Sequence, residues 1–226
     1  MDWFEPIAGY CERGSPAFWA EPVNAVSNAA FLVAGTVAFR RARTVDDRPA
    51  AALALLTAIV GVGSFLFHTL AVRWAMLADV VPIAVFIHAY FFLAMVRFLR
   101  FGLEAAAAAT LAFAGFGFGL VPALDAAAGR SVEALTDGSV DYLPAVLALL
   151  GVAVGLRWLG DPSSTARRLA ALALLFGVSL ALRTMDRSVC ARVPVGTHAL
   201  WHLLNAGILF GLVVAAVRHR AASRRR

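Results

Sequence analysis

Two pairs of polar residues share a spacing of four inside otherwise apolar sequence: Ser64 and His68 in GSFLFHTL, and His198 and His202 in THALWHLL. On a helix, positions i and i+4 face the same way about one turn apart, so each pair presents both groups to one point. Asp79 opens the apolar run that follows the first pair. Ionisable side chains in strongly apolar segments are costly and mark working sites. Three converging imidazoles are a ligand set for zinc: three neutral nitrogens hold the ion and leave a fourth position for water. Zinc acidifies such a water and polarises a carbonyl. Asp79 is then suited to orient the water, take its proton and return it to a leaving amine. The Ser64 hydroxyl is suited to donate to a developing oxyanion. For a single intramembrane histidine, a packed and hydrogen-bonded role is the simpler reading, and Ser64 alone reads equally as a small packing residue bonded to its own backbone. Two pairs and a carboxylate at one depth favour the metal.

The elements that must position these groups are membrane spans. The chain has 226 residues, 61% hydrophobic and 15% charged, with a mean hydropathy of +0.79. A water-soluble domain of this size could not bury that much apolar surface, so the expected class is an all-α integral membrane protein. Apolar stretches near the roughly 20 residues that a bilayer core requires occur at about 24–41, 51–70, 80–98, 105–124, 140–158, 168–185 and 197–217. The connections carry Pro, Gly, Asp and Arg, as in TVDDRP and GDPSSTARR. The expectation is a seven-transmembrane helix bundle over 24–217, preceded by an extracytoplasmic cap segment (1–23) and followed by a basic tail (218–226). Residues 1–22 contain no apolar stretch resembling a cleavable signal.

All twenty basic residues are arginine. The absence of lysine excludes a retinal protein, which needs one for its Schiff base. A sequence pI near 10.6 raises the question of nucleic acid, but the arginines are dispersed over loops and tail, where they set membrane orientation instead. Arg40, Arg41, Arg43, Arg48, Arg97, Arg100, Arg157, Arg167, Arg168, Arg218, Arg220 and the terminal Arg224, Arg225 and Arg226 fall on one side, fourteen in all. Arg13, Arg73, Arg130, Arg183, Arg187 and Arg192 fall on the other. The expected topology has the N-terminus outside and the C-terminus in the cytoplasm. It brings His68, Asp79, His198 and His202 to the outer leaflet together. Cys11 and Cys190, the only cysteines, also fall outside, where an oxidising compartment lets them pair; two free thiols are the alternative.

The segments YCERGSPAFWAEPVNAVSN, GVGSFLFHTL, LADVVPI and THALWHLLNA resemble the alkaline ceramidase family, seven-helix zinc hydrolases related to adiponectin-receptor-like proteins. The resemblance covers the N-terminal segment and the first, second, third and seventh spans. It implies an amidase that cuts the N-acyl bond of ceramide, a membrane lipid, to a sphingoid base and a fatty acid. His68, His198 and His202 would hold zinc, Asp79 would work on the water and Ser64 would assist the oxyanion. It also favours the Cys11–Cys190 bond. Calcium is implied near the active site, with ligands from Glu12, Glu21 and the Tyr10 carbonyl. Gly9 and Gly14, however, stand where an Asp and an Asn are expected, which depletes the site; the alternative is a solvated acidic loop with Arg13 in place of the cation. An Ala- and Arg-rich chain without lysine suggests a GC-rich genome, hence a bacterial inner membrane with a periplasm-facing site; a Golgi or ER membrane with a lumen-facing site is the alternative. Other functional readings are a hydrolase of another N-acyl or ester lipid and a zinc-binding receptor or scaffold without hydrolysis. His88 reads as a packed or helix-bonded imidazole. Asp141, Arg183 and Asp186 read as ion-pair or head-group contacts, and Trp19, Trp74 and Tyr142 as interfacial anchors.

Overall fold

The structure, a computed structural model, describes residues 2–7, 9–161 and 164–223. Arg224, Arg225 and Arg226 of the basic tail lie outside the described residues. Helices α1 (Pro22–Ser27) and α2 (Ala29–Thr44) together make the first span, followed by α3 (Arg48–Leu70), α4 (Arg73–Arg97) and α5 (Leu103–Ala128). After the short α6 (Val132–Leu135) and a 3-10 turn come α7 (Leu143–Trp158), α8 (Thr165–Val189) and α9 (His198–Ser223). Among the described residues, seven helices are long and apolar enough to cross a membrane, at the seven places the hydropathy indicates. The one β feature among the described residues is an isolated bridge between Pro6 and Val72.

The boundaries differ from the apolar runs where helix propensity continues past them. Helix α4 begins at Arg73, seven residues before its apolar run, because RWAMLA is rich in good helix formers. Asp79 therefore lies in the second turn of α4 and not at its start. The first span is divided at Asn28. There the Asn28 amide donates to the Asn24 carbonyl at 2.9 Å, and Ser27 Oγ donates to the same carbonyl at 2.7 Å. Such side chains compete with the helical ladder and redirect it.

Two contacts set the bundle. Gly63 lets α3 and α4 meet backbone to backbone: a Cβ at this position would lie 1.9 Å from the Ala78 carbonyl oxygen. Small residues are what permit such approach between membrane helices. Since Ser64 and Asp79 are the next residues along each helix, Gly63→Ala should push apart two groups of the site. The expected result is a stability loss of about 1–3 kcal/mol, with a fall in activity of up to roughly 100-fold from misplacement of about 1 Å. Thermal unfolding in detergent and turnover of the same preparation check both.

At the opposite end Asp47 caps α3, accepting from the Ala50 amide at 3.3 Å. The same buried carboxylate takes two bonds from Arg97 at the end of α4 (2.7 and 2.8 Å) and one from Arg220 of α9 (3.0 Å). Burial pushes this carboxyl up, but the bonds and charge of Arg97, with Ala50 and Arg220, outweigh burial and hold it below its usual value. A lowered folded value means stability that is complete above the unfolded value of about 4 and is lost as pH falls through the folded one. Asp47→Ala should cost about 3 kcal/mol and remove that acid-side loss, readable from melting temperatures across pH.

Candidate metal centre

Two helices deliver the histidines to one end of the bundle. His68 is in the last turn of α3, which ends at Ala71 in a left-handed conformation (φ 46°). His198 is the first residue of α9 and His202 lies one turn further. Helix α9 is fixed there by Asp186, a fully buried residue of α8. Its Oδ1 accepts from the amides of Thr197 (2.7 Å) and His198 (2.9 Å), and its Oδ2 accepts from the Cys11 amide at 3.0 Å. Helix N-termini need such acceptors, and one carboxylate here meets two of them. Gly196 adopts φ 67°, and a Cβ on it would collide with that carboxylate. Asp186 is thus neither a head-group contact nor half of an ion pair but the anchor of the metal-binding helix.

The ligand atoms of His68, His198 and His202 all lie within 4.8 Å of one another, and all three side chains are buried. Hydrogen bonds to His68 and His202 settle which of their nitrogens are free. His68 Nδ1 meets Glu21 Oε2 at 2.6 Å; a carboxylate only accepts, so Nδ1 carries the proton and Nε2 keeps its lone pair. His68 Nε2 is buried with no partner. His202 Nδ1 meets Ser27 Oγ at 2.7 Å, and the Ser27 hydroxyl already donates to the Asn24 carbonyl. Nδ1 is therefore the donor here too, leaving the lone pair on Nε2, 3.5 Å from Ser64 Oγ. Metal-binding histidines usually commit their other N–H to such partners. His198 Nδ1 likewise has no partner, nor does Asp79 Oδ1. Three elements, α3, α4 and α9, thus bury nitrogens and a carboxylate oxygen here with no protein donor nearer than the Ser64 hydroxyl, which fits a cation held by His68, His198 and His202. Ser64 also reaches the Asp79 carboxylate.

The N-terminal segment closes this end. Ile7 donates to the Ala71 carbonyl at 2.7 Å, and the Arg73 and Trp74 amides donate to the carbonyls of Glu5 (3.2 Å) and Trp3 (3.1 Å). A disulfide joins Cys11 to Cys190, with Cα atoms 5.3 Å apart. The Tyr10 ring lies over His198, centroids 3.9 Å apart, and 5.0 Å from that of His68. Burial holds its hydroxyl well above the usual range. Tyr10 is thus a wall of the histidine cluster.

The three residues expected to bind calcium are otherwise engaged. Glu21 accepts from Arg13 Nε, His68 Nδ1 and the Asn24 side-chain amide. Burial raises its carboxyl, but those bonds prevail and keep it below the usual value. Glu12 caps α1, accepting from the amides of Val23 (2.7 Å) and Asn24 (2.8 Å). The Tyr10 carbonyl accepts from the Arg13 amide. These oxygens do not fit calcium, a cation that takes six to eight.

Below the histidines lies a cavity of about 280 Å³, lined at its upper end by Ser64, Asp79, His198 and His202 and lower down by Tyr90, Ala94 and Leu212. Asp79 and Ala94 are fifteen residues apart on α4, so the cavity runs along roughly 22 Å of helix. Tyr142, expected as an interfacial anchor, instead turns inward and packs on Trp201, centroids 5.2 Å apart. Arg183 lines the upper part and donates to the Asp137 carbonyl, its guanidinium 5.7 Å from the Tyr142 ring. His88 donates to the Ala84 carbonyl at 2.8 Å, away from the site.

Residue type alone could not reveal Glu21, Ser27 and Asp186 as the partners of the site. They are ordinary polar residues in loops and helix ends, and only the fold brings them to the histidines.

A model of the ceramidase family matches residues 9–128, just over half of the chain. The match includes Tyr10, Glu21, Ser64, His68 and Asp79 and stops before His198 and His202. No curated protein matches the chain.

Proposed function

We propose, from the premise that this chain belongs to the ceramidase family, that it is an intramembrane zinc-dependent amidase cutting the N-acyl bond of ceramide-like lipids. The products are a sphingoid base and a free fatty acid. One observation carries the reading: His68 and His202 spend their Nδ1 protons on Glu21 and Ser27 and turn their Nε2 lone pairs inward. They do so near Asp79, whose buried Oδ1 has no partner, at the upper end of a long apolar cavity.

Zinc held by His68, His198 and His202 would supply Lewis acidity, polarising the amide carbonyl and acidifying water. The protein does the rest. The cavity takes the acyl chain and keeps bulk water from the amide. Asp79 accepts the proton of the attacking water and delivers it to the departing amine, the part a buried carboxylate with one free oxygen can play in both directions. The Ser64 hydroxyl donates to the carbonyl oxygen as charge develops on it. Glu21 and Ser27 keep two imidazoles in one tautomer and one orientation.

The arginine distribution supports a cytoplasmic C-terminus and an outward-facing site beneath the 1–23 cap, in a bacterial inner membrane with periplasmic access. A C-terminal tag protected from external protease in right-side-out vesicles checks this.

Fatty-acid release by the purified protein from ceramides, other N-acyl lipids and ester lipids, read by mass spectrometry, tests the activity. Release from ceramides in preference to the rest supports the proposal. Preference for another N-acyl or ester lipid moves the substrate but keeps the chemistry. Full zinc occupancy without release from any lipid would leave a zinc-binding scaffold.

A further inference from the structure

Arg13 is the residue that this reaction does not use and the structure nevertheless buries. Its side chain is 5% exposed. Nε donates to Glu21, Nη2 to the His68 carbonyl at 2.9 Å, and Nη1 to the Ser15 carbonyl at 3.2 Å. One guanidinium therefore joins the cap, the carboxylate that orients a candidate metal ligand, and the backbone of that ligand at the end of α3. A cation held among a carboxylate and carbonyl oxygens is what a divalent ion would otherwise be there, but Arg13 is covalently part of the chain and permanently charged.

The oxygens expected to hold a second cation are already engaged. Both Glu21 oxygens already accept, Glu12 is engaged by two helix amides, and the Tyr10 carbonyl takes the Arg13 amide. Gly9 and Gly14 add no side-chain oxygen, and steric crowding is not the reason: a Cβ at either would meet nothing within 4 Å. The guanidinium would also repel a divalent ion brought to the same carboxylate.

We propose that Arg13 is the built-in cation of the N-terminal cap, a positioning residue that holds Glu21 and His68 in place, so that the cap needs no calcium. The inference rests on the cap geometry alone and stands whether or not the protein hydrolyses ceramide.

The test uses full-length protein in detergent, prepared in calcium-free buffer, with melting temperature and bound calcium measured as calcium is added. The expected result is no bound calcium and an unmoved melting temperature for the wild type. Arg13→Ala should melt several degrees lower, with part of the loss restored by millimolar guanidinium. Arg13→Ala combined with Gly9→Asp and Gly14→Asn should respond to calcium. Stoichiometric calcium on the wild type, with a rise in its melting temperature, would overturn the proposal, as would an unchanged melting temperature in Arg13→Ala. Should that variant fail to fold, the wild-type calcium titration decides alone. Neither readout depends on hydrolysis, so loss of the amidase reading would leave this result interpretable.

Discussion

Replacing His202 with alanine should strip the protein of zinc and abolish fatty-acid release, while leaving the bundle folded. The imidazole's two nitrogens have separate tasks. Nδ1 is bonded to Ser27 and ties α9 to the end of α1; Nε2 faces His68 and His198. Two remaining histidines do not make the closed three-nitrogen set that a catalytic zinc requires. The Lewis acid contributes several kcal/mol to such a reaction, so the expected loss is at least about 1000-fold in kcat/KM. The fold should survive because the outer end is also held by the disulfide, by Asp186 and by the Gly63 contact. Zinc content by elemental analysis, together with melting temperature, separates loss of the metal from loss of the fold. Retained zinc with retained release would remove the histidine triad from the mechanism.

The sequence was legible where its signals are periodic or compositional. Seven spans follow from hydropathy because a bilayer demands about twenty apolar residues whatever their neighbours do. The convergence of His68, Asp79 and the late histidine pair followed from counting helices, since each group sits near an end of its span. What stayed hidden depends on tertiary contact. Nothing in the loop SPAFWAEP separates Glu21, bonded to a metal-site imidazole, from a solvated acid. Asp186 looked like an ion-pair or head-group contact because its donors, the amides of Thr197, His198 and Cys11, are remote in sequence or invisible as side chains. The calcium expectation finds no support for a related reason. Glu12 and Glu21 were present, but their oxygens are taken by donors that only the fold supplies. Arg13, named as a substitute for the cation, is seen as such only through its contact with the His68 carbonyl.

Asp79→Asn should separate metal binding from chemistry. Asparagine has almost the same shape, keeps an oxygen and should preserve the packing of α4 against Gly63. It cannot accept and return a proton. Because Asp79 is not among the three histidine ligands, zinc should remain near one equivalent and the melting temperature near that of the wild type. Hydrolysis should fall by roughly 100- to 10,000-fold, the range for a positioned general base. The comparison is sharp because two other outcomes point elsewhere. Zinc lost along with activity would make the carboxylate a ligand, and its unpartnered Oδ1 would then be waiting for the metal and not for water. Unchanged lipid cleavage would mean that proton transfer uses another group, and among the residues lining the upper cavity Ser64 would be the next to replace. A protein built only to hold zinc would have no use for a buried carboxylate at this point, with the free energy it costs to keep one in an apolar span.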